Sequence, residues 1–332
     1  MMKKLPRILL LIGPGTLHSQ GKDRMDFYNY RRSGLPFMTG QELLAAVPEI
    51  AAVADAVVDE GNPHLVSTLE DIRLLSTRVN ALLQAAEVDG VVFVQGTNVL
   101  EETAYFLTLT VNSKKPVVVT GAQRPFTALS TDAPLNLLDA FRVAADPKTA
   151  GKGVVVVANN EINSARDVTK TNTYHVHTFR SRDVGLMGYA DADKISYYRS
   201  PTRRHTVNSE FSVQKILQLP RVDILYAYSG AQPGLAEAAC KLGAKGLVIA
   251  SVGAGSPGNL TQECAAIAQS GRAVVVRSSR VGAGRVVRDS AYQEPRMVAA
   301  DNLSPQKAAI LLSLGLTRTD DPEEIQKIFD DY

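Results

Sequence analysis

Residues 90–111 read GVVFVQGTNVLEETAYFLTLTV, which is the most informative stretch of the chain. Its first part, Gly90–Val94, is an unbroken apolar run of the kind that forms a strand buried on both faces of a parallel sheet. A short polar loop, Gln95–Asn98, follows, and Leu100–Val111 then has a helical pattern. A buried strand, a loop and a helix in this order predict one repeat of an α/β fold.

The same alternation extends along most of the chain. Val- and Ile-rich runs predict further strands at Ile8–Ile12, Pro116–Thr120, Gly153–Ala158, Val222–Tyr226, Gly246–Ala250 and Ala273–Val276. Helical patterns predict helices at Gly40–Ala54, Leu69–Ala86, Ala133–Ala145, Gly234–Leu242, Thr261–Ser270 and Pro322–Phe329. We therefore predict an α/β protein with a doubly wound, mainly parallel sheet.

The chain of 332 residues is long for a single core and predicts two domains. The strand and helix pattern stops at residue 196, where the segment Tyr198–Thr206 is polar and basic, and it restarts at Val222. We predict an N-terminal domain at 1–195, a linker at 196–219 and a smaller C-terminal α/β domain at 220–332.

Composition excludes several classes of function. The net charge of +2 gives no reason to expect nucleic acid or an anionic membrane as a partner. Cys240 and Cys264 lack metal-type spacing and are interpreted as reduced, packed thiols. The apolar run Ile8–Ile12 is too short for a signal peptide and is followed at once by a Gly-Pro-Gly turn, so we expect a first strand and a cytoplasmic protein.

Candidate site residues lie in the loops that follow predicted strands, because parallel sheets bind ligands outside the carboxyl ends of their strands. Three such loops are Gly13–Ser19, Gly61–Leu65 and Gln95–Asn98. In the third loop, Thr97 precedes a helix N-terminus, which offers free N–H groups to an oxyanion or a carboxylate. Alternatively, Thr97 or Asn98 simply caps that helix. Spacing alone leaves both interpretations open.

Several motifs resemble the bacterial L-asparaginase/glutaminase family. The segment GTNVLEETAYFL at 96–107 is similar to the family's H-G-T-D-T-M-E-E-T-A-Y-F-L. The likeness continues in KPVVVTGAQRP at 115–125, RDVTKTNT at 166–173, VVRSSRV at 275–281 and SPQKA at 304–308. The resemblance implies a two-domain asparaginase-like hydrolase of small molecules that needs no metal or organic cofactor. It also implies a homotetramer, a dimer of dimers, with active sites at subunit junctions.

The resemblance assigns roles to named residues. It implies that Lys170 is a buried amine that takes the proton of the Thr97 hydroxyl. It makes Thr16 a second candidate nucleophile, activated by Tyr30 or by Tyr28. Backbone N–H groups around Gly15-Thr16 and Gly96-Thr97 are expected to bind the oxyanion. Together with these two glycines, the predicted substrate contacts are Gly61, Asn62, His64 and Asn98.

The chain departs from the family pattern where an α-amino group is recognised. Without a gap, Gly13 stands at the family's primary nucleophile, and Asn62-Pro63 replaces the Ser-Gln pair that holds the substrate. Asn98 replaces an Asp, and Ala254 and Ala291 replace an Asn and a Glu. A buried ammonium requires acceptors or a countercharge, so we expect a substrate without a free α-amino group.

The departures also add side chains that are new to the pattern. His18 and His64 are either general bases or structural hydrogen-bonding residues. The basic flap residues Arg24, Arg31 and Arg32 either meet a substrate carboxylate or are solvated.

Three functions are consistent with the sequence. The first is a hydrolase of an amide, a lactam or a related carbonyl compound other than L-asparagine. The second is a genuine L-asparaginase with rearranged contacts. The third is a catalytically silent small-molecule-binding protein, which the loss of the first-loop nucleophile favours and the retained Thr-Lys element disfavours.

Overall fold

The protein is represented by a computed structural model that describes residues 4–61, 64–293 and 296–332. Its chain divides into two compact units, Met1–Val213 and Gln214–Tyr332. The segment predicted as a linker, 196–219, contains most of one short strand and two 3-10 turns, Thr206–Asn208 and Val213–Lys215. The domain boundaries inferred from sequence stay predictions.

The first unit contains four helices of the described ranges and the strands that form its sheets. The strands are β1 (Arg7–Ile12), β2 (Asp55–Val58), β3 (Gly90–Val94), β4 (Val117–Thr120), β5 (Val154–Ala158), β6 (Glu161–Ser164), β7 (Thr169–Lys170), β8 (Phe179–Arg180), β9 (Gly188–Ala190) and β10 (Ile195–Tyr197). The helices are α1 (Gly40–Ala46), α2 (Leu69–Gln84), α3 (Leu100–Thr110) and α4 (Ala133–Ala145).

The main sheet has the strand order β10-β9-β6-β5-β4-β3-β1-β2. Strands β1 to β5 are parallel to one another, as predicted, and the doubly wound architecture is confirmed. The run Gly90–Val94 is buried at every residue, because β3 lies in the middle of the sheet with helices on both faces. One face packs against α1 and α4 through a core that includes Leu10, Val92 and Phe141.

The sequence prediction missed several elements, among them β2 and the helix Pro305–Gly315, and it placed one helix end wrongly. The predicted helix Gly40–Ala54 ends at Ala46, and a 3-10 turn, Pro48–Ala52, follows it. The proline lacks the N–H that an α-helix requires, which explains the break. The antiparallel strands β6, β9 and β10 were not predicted, because each has only three or four residues and shows no long apolar run.

The second unit has a smaller parallel sheet with the order β11-β12-β13-β14. Its strands are β11 (Val222–Tyr226), β12 (Gly246–Ser251), β13 (Val274–Ser279) and β14 (Val298–Ala299). Its helices are α5 (Leu235–Lys241), α6 (Thr261–Gln269), α7 (Ser290–Gln293), α8 (Pro305–Gly315) and α9 (Pro322–Asp331). The predicted smaller α/β unit is confirmed.

Candidate active site

The candidate site lies where the strand order of the main sheet reverses. Counted from β2 at the edge of the sheet, the strand order is β2-β1-β3-β4-β5. Strands β1 and β3 are therefore neighbours in the sheet, although β2 lies between them in sequence. Their last residues, Ile12 and Val94, are paired in register. The loops after them therefore leave the sheet side by side, at the switch point where doubly wound proteins bind ligands.

Two glycines allow these loops to touch. The Gly96 N–H donates to the Pro14 carbonyl oxygen at 2.8 Å. A Cβ atom on Gly15 would lie 2.3 Å from the nitrogen of Gly96, which no side chain permits. The backbones thus cross without space for a side chain at position 15, and Gly15 and Gly96 hold the loops in place.

The two loops make hydrogen bonds where they cross, and these bonds restrict the set of N–H groups that can bind an oxyanion. The Gly15 N–H donates to His18 and the Gly96 N–H donates to Pro14, so both glycine donors are occupied. Among the described residues, the N–H groups of Thr16 and Thr97 have no acceptor, although both residues are 95% or more buried. An unpaired buried N–H is unfavourable, so these two donors are the better candidates for oxyanion binding.

The structure brings Thr97 and Lys170 into contact. Lys170 Nζ lies 2.6 Å from Thr97 Oγ1, and Thr97 Oγ1 donates to Gln123 Oε1 at 3.0 Å. Thr97 is only 5% exposed and Lys170 is half-buried. Burial lowers the pKa of Lys170, and the positive charge of Arg31 lowers it further. The ammonium form is therefore less favoured than in water.

Thr97 does not serve as a helix cap. The N-cap position of α3 is Val99, and its side chain makes no capping hydrogen bond. The capping interpretation of Thr97 and Asn98 is thus wrong. Asn98 is exposed, and its carboxamide has no hydrogen-bonding partner within the described part of the chain.

Two carboxylates that the sequence analysis missed support the pair. Glu101, buried in the first turn of α3, accepts the backbone N–H of Lys170 at 3.2 Å. Asp132 accepts the backbone N–H groups of Gln123 and Arg124 at 3.0 Å each and so fixes the segment after β4. Burial raises the pKa of Asp132, which lies at the start of α4. Gln123 follows the buried strand β4, which is next to β3 in the sheet. Its position after the carboxyl end of a parallel strand was the sequence signal that could have identified it as a site residue.

A second hydroxyl pair joins Thr16 and Tyr30. Their oxygen atoms are 2.8 Å apart, and Thr16 is 4% exposed. Tyr30 begins a 3-10 turn, Tyr30–Arg32, in the segment between β1 and α1. Tyr28, the other tyrosine of this segment, is 72% exposed and contacts no hydroxyl of the site. The sequence left both tyrosines as candidate partners of Thr16, and the geometry favours Tyr30.

His18 has a structural position. Its Nε2 accepts the Gly15 N–H at 3.0 Å, and its Nδ1 faces the Met38 carbonyl oxygen at 3.3 Å. A donor on one side and an acceptor on the other require a neutral ring with its proton on Nδ1. Stacking on Phe37 and burial complete this arrangement, and burial lowers the pKa of His18. With both nitrogens bonded to backbone, His18 has no free nitrogen for a substrate.

His64 belongs to a separate charged cluster beside α2. Its Nε2 lies 3.0 Å from Asp59 Oδ2, and the same carboxylate receives two bonds from Arg78. Asp59 is desolvated, yet its bonds to Arg78 and His64 leave its pKa lowered. Gly61 lies over this carboxylate, since a Cβ there would be 3.1 Å from Asp59 Oδ2. Asn62, predicted as a substrate contact, and Pro63 lie outside the described residues.

Position 13 has no space for a side chain. A Cβ on Gly13 would lie 2.7 Å from the His64 carbonyl oxygen and 2.9 Å from Phe93 Cζ. The Gly13 N–H is bonded to Val94 at 2.7 Å, so the backbone is held at this point. The structure therefore explains why the residue in line with the family's nucleophile is glycine.

Within the described ranges, no cluster of three His, Cys, Asp or Glu side chains is suited to a metal ion. No helix among these residues has the length and apolar character needed to cross a bilayer.

Fold and site together define a two-unit α/β protein with hydroxyl, amine and carboxamide groups in contact at the switch point of its main sheet. Residues 7–203 match the protein family described as "Asparaginase, N-terminal". Residues 221–329 match the family described as "Glutaminase/Asparaginase C-terminal domain". The chain belongs to the asparaginase family.

Known members of the family match over nearly the whole chain. L-asparaginase 2 of Bacillus subtilis is 42% identical over 99% of this chain and 88% of its own. A probable periplasmic L-asparaginase of Haemophilus influenzae is 42% identical over 99% of this chain and 93% of its own. The crystal structure of a probable cytoplasmic L-asparaginase from Campylobacter jejuni superposes with a TM-score of 0.90 at 36% identity, covering 98% and 100% of the two chains. One of these relatives is named as periplasmic and another as cytoplasmic. The cytoplasmic location of this protein therefore stays a prediction.

Proposed function

We propose that this protein hydrolyses an amide, a lactam or a related carbonyl substrate through the hydroxyl of Thr97, with Lys170 as its base. The observation that carries the proposal is the 2.6 Å contact between Lys170 Nζ and Thr97 Oγ1. A lysine with a lowered pKa has a larger neutral fraction near neutral pH, and the neutral amine accepts a proton.

The proposed reaction has two stages. Lys170 takes the proton of Thr97, Oγ1 attacks the carbonyl carbon, and the negative charge on the carbonyl oxygen is bound by the N–H groups of Thr16 and Thr97. The C–N bond then breaks, and the Lys170 ammonium returns the proton to the leaving nitrogen. In the second stage, water attacks the carbonyl carbon of the Thr97 ester and gives a proton to Lys170. The C–O bond to Thr97 then breaks, Lys170 returns the proton to Oγ1, and the acid is released with both side chains restored.

Thr16 is the alternative nucleophile, with Tyr30 as its partner at 2.8 Å. The two assignments are separated by single substitutions. Removal of the true nucleophile leaves no covalent intermediate, whereas removal of the other hydroxyl slows the reaction but leaves the intermediate in place. The two variants are Thr16→Val and Thr97→Val. Mass spectrometry of each enzyme, quenched during turnover, shows whether the covalent intermediate is present.

The charge of the site favours a substrate without an ammonium group. Asn98, next to Thr97, is neutral, and Arg31 is exposed with no partner for its guanidinium within the described ranges. Its positive charge lowers the pKa of Lys170, whereas the nearby Glu101 carboxylate is bonded to the Lys170 backbone N–H. A carboxylate is stabilised beside Arg31 and an ammonium is repelled. We therefore propose an amide that carries a carboxylate and no α-amino group.

A matched pair of compounds tests this proposal. Succinamate and L-asparagine differ only in the α-amino group, and ammonia release measures both reactions. Loss of one charge-assisted hydrogen bond costs about 1.5–3 kcal/mol, which corresponds to about 10–150-fold in rate. We expect kcat/KM for succinamate to exceed that for L-asparagine by at least about tenfold. The reverse order would contradict the proposed substrate class.

The names of the relatives favour a second candidate, L-asparaginase activity, because the matched proteins from Bacillus subtilis and Haemophilus influenzae are named L-asparaginases. The same assay decides between the two. A kcat/KM for L-asparagine that equals that of the Bacillus subtilis enzyme, measured side by side, would establish the second candidate.

A further inference from the structure

The Gln123 carboxamide lies between the candidate nucleophile and the loop after β7. Its Nε2 faces the backbone oxygen atoms of Asn172 and Thr173 at 3.4 Å and of His175 at 3.2 Å. Carbonyl oxygens only accept hydrogen bonds, so they require the amino group of Gln123 on their side. The Gln123 Oε1 atom therefore must face Thr97, where it is an acceptor at 3.0 Å.

This orientation determines where the Thr97 proton lies. Because Gln123 Oε1 cannot donate, the Thr97 O–H points at Gln123, and its lone pairs face Lys170 Nζ at 2.6 Å. The Lys170 ammonium donates into those lone pairs, so the Thr97 hydroxyl both donates and accepts a hydrogen bond when Lys170 is protonated. Before Lys170 can take the proton, the Thr97 O–H must turn from Gln123 to Nζ.

We propose that Gln123 is a positioning residue that stabilises the resting, protonated form of the Thr97–Lys170 pair and thereby sets the pH at which the pair becomes active. The inference rests on the proposed function and adds a regulatory role to the same site. Gln123 offers Thr97 an acceptor that competes with the neutral amine of Lys170. Its removal leaves Lys170 as the acceptor nearest to the Thr97 proton.

Other charged and titratable groups surround the pair and remain unchanged in the test. They are Tyr30 and Arg31 on the 3-10 turn, Glu101 on α3, Arg124 and Asp132 after β4, and His175 after β7. Because these groups are common to all variants, a change in the titration of Lys170 between variants at position 123 reports on the carboxamide itself.

Two substitutions at position 123 have opposite expected effects. Gln123→Met keeps the length of the side chain and removes the acceptor, so the acid limb of the pH profile of kcat/KM should move to lower pH. Gln123→Glu keeps the shape and adds a negative charge that favours the Lys170 ammonium, so the limb should move to higher pH. We expect shifts of about one pH unit in each direction. Gln262→Met, an exposed change on α6, is the matched control and should leave the profile in place.

A direct titration keeps the inference separate from the proposed function. Protein labelled with 13C at lysine Cε gives an NMR signal for Lys170, identified by its absence in Lys170→Met, and this titration needs no substrate. Opposite displacements of the Lys170 titration in the two variants support the inference even when no tested amide is hydrolysed. An unmoved titration in both folded variants overturns it, even when the enzyme is active. A uniform loss of rate at every pH, with no displacement, would show that Gln123 only supports the loop.

Discussion

Restoring the family's first-loop threonine by Gly13→Thr should destabilise this protein and should not create an L-asparaginase. The new Cβ would lie 2.7 Å from the His64 carbonyl oxygen and 2.9 Å from Phe93 Cζ, whereas ordinary contacts begin at 3.4 Å. The backbone at His64 and the Phe93 ring would thus have to retreat by about 0.7 and 0.5 Å, the differences between these distances. Neither moves readily, because the His64 N–H is bonded to Ile12 and Phe93 is fully buried.

Overpacking of this kind costs about 1–3 kcal/mol, so Tm should fall by about 2–12 °C. Thermal unfolding followed by circular dichroism measures the effect, and Gly13→Ala separates the cost of Cβ from that of the rest of the threonine. Ala51→Thr, an exposed change in the Pro48–Ala52 turn, is the control, because surface substitutions usually change stability by no more than about 0.5 kcal/mol. A Gly13→Thr protein with wild-type Tm and a gain of L-asparagine hydrolysis would refute the steric argument.

Three further predictions concern the pair, its electrostatics and the assembly. Thr97→Val and Lys170→Met should each lower turnover of the true substrate by at least about a hundredfold with the fold intact, and wild-type rates in either variant would contradict the Thr-Lys proposal. Because the pKa of Lys170 is lower in the folded than in the unfolded chain, the unfolded chain binds more protons between the two values, and stability rises with pH across that interval. Lys170→Met should therefore have a higher Tm than the wild type at neutral pH and should lack this rise, and a lower Tm in calorimetry would oppose the assignment. The protein should form a homotetramer, or at least a dimer, in which Ser229–Ala231 and Val252–Gly258 face the neighbouring first domain, and a monomer by light scattering at micromolar concentration would count against this.

The parallel core of the fold could be predicted from sequence because burial on both faces imposes continuous apolar runs. The segments Ile8–Ile12 and Gly90–Val94 carry that signal without ambiguity, and their loops located the site. Short strands at the antiparallel end of the sheet, such as β9, carry no comparable signal, because their pairing depends on partners distant in sequence. The helix break at Pro48 was visible in the sequence, but the apolar pattern continued through it.

The site was predictable only in part, and the reason differs from residue to residue. Thr97 and Lys170 were found through motif resemblance, and their contact depends on the fold bringing together residues 73 positions apart. Gln123 and Glu101 were missed because neither residue type has a distinctive spacing, and their roles depend on hydrogen-bond direction. The histidines attracted attention by residue type alone, whereas His18 bonds only to backbone and His64 bonds to an aspartate beside α2.

The crossing of the two loops has a consequence for protein engineering. Gly13, Gly15 and Gly96 are positions where an added methyl group meets backbone or a buried ring, so a combinatorial library that varies them consists largely of misfolded members. Asn98 and Arg31 border the same site, but they are exposed and their polar groups have no hydrogen-bonding partner among the described residues. Diversity confined to these two positions would sample new ligand chemistry at little risk to folding. This protein thus tolerates substitution at the exposed residues that border the site, whereas the glycines of the two loops cannot be replaced without a steric clash.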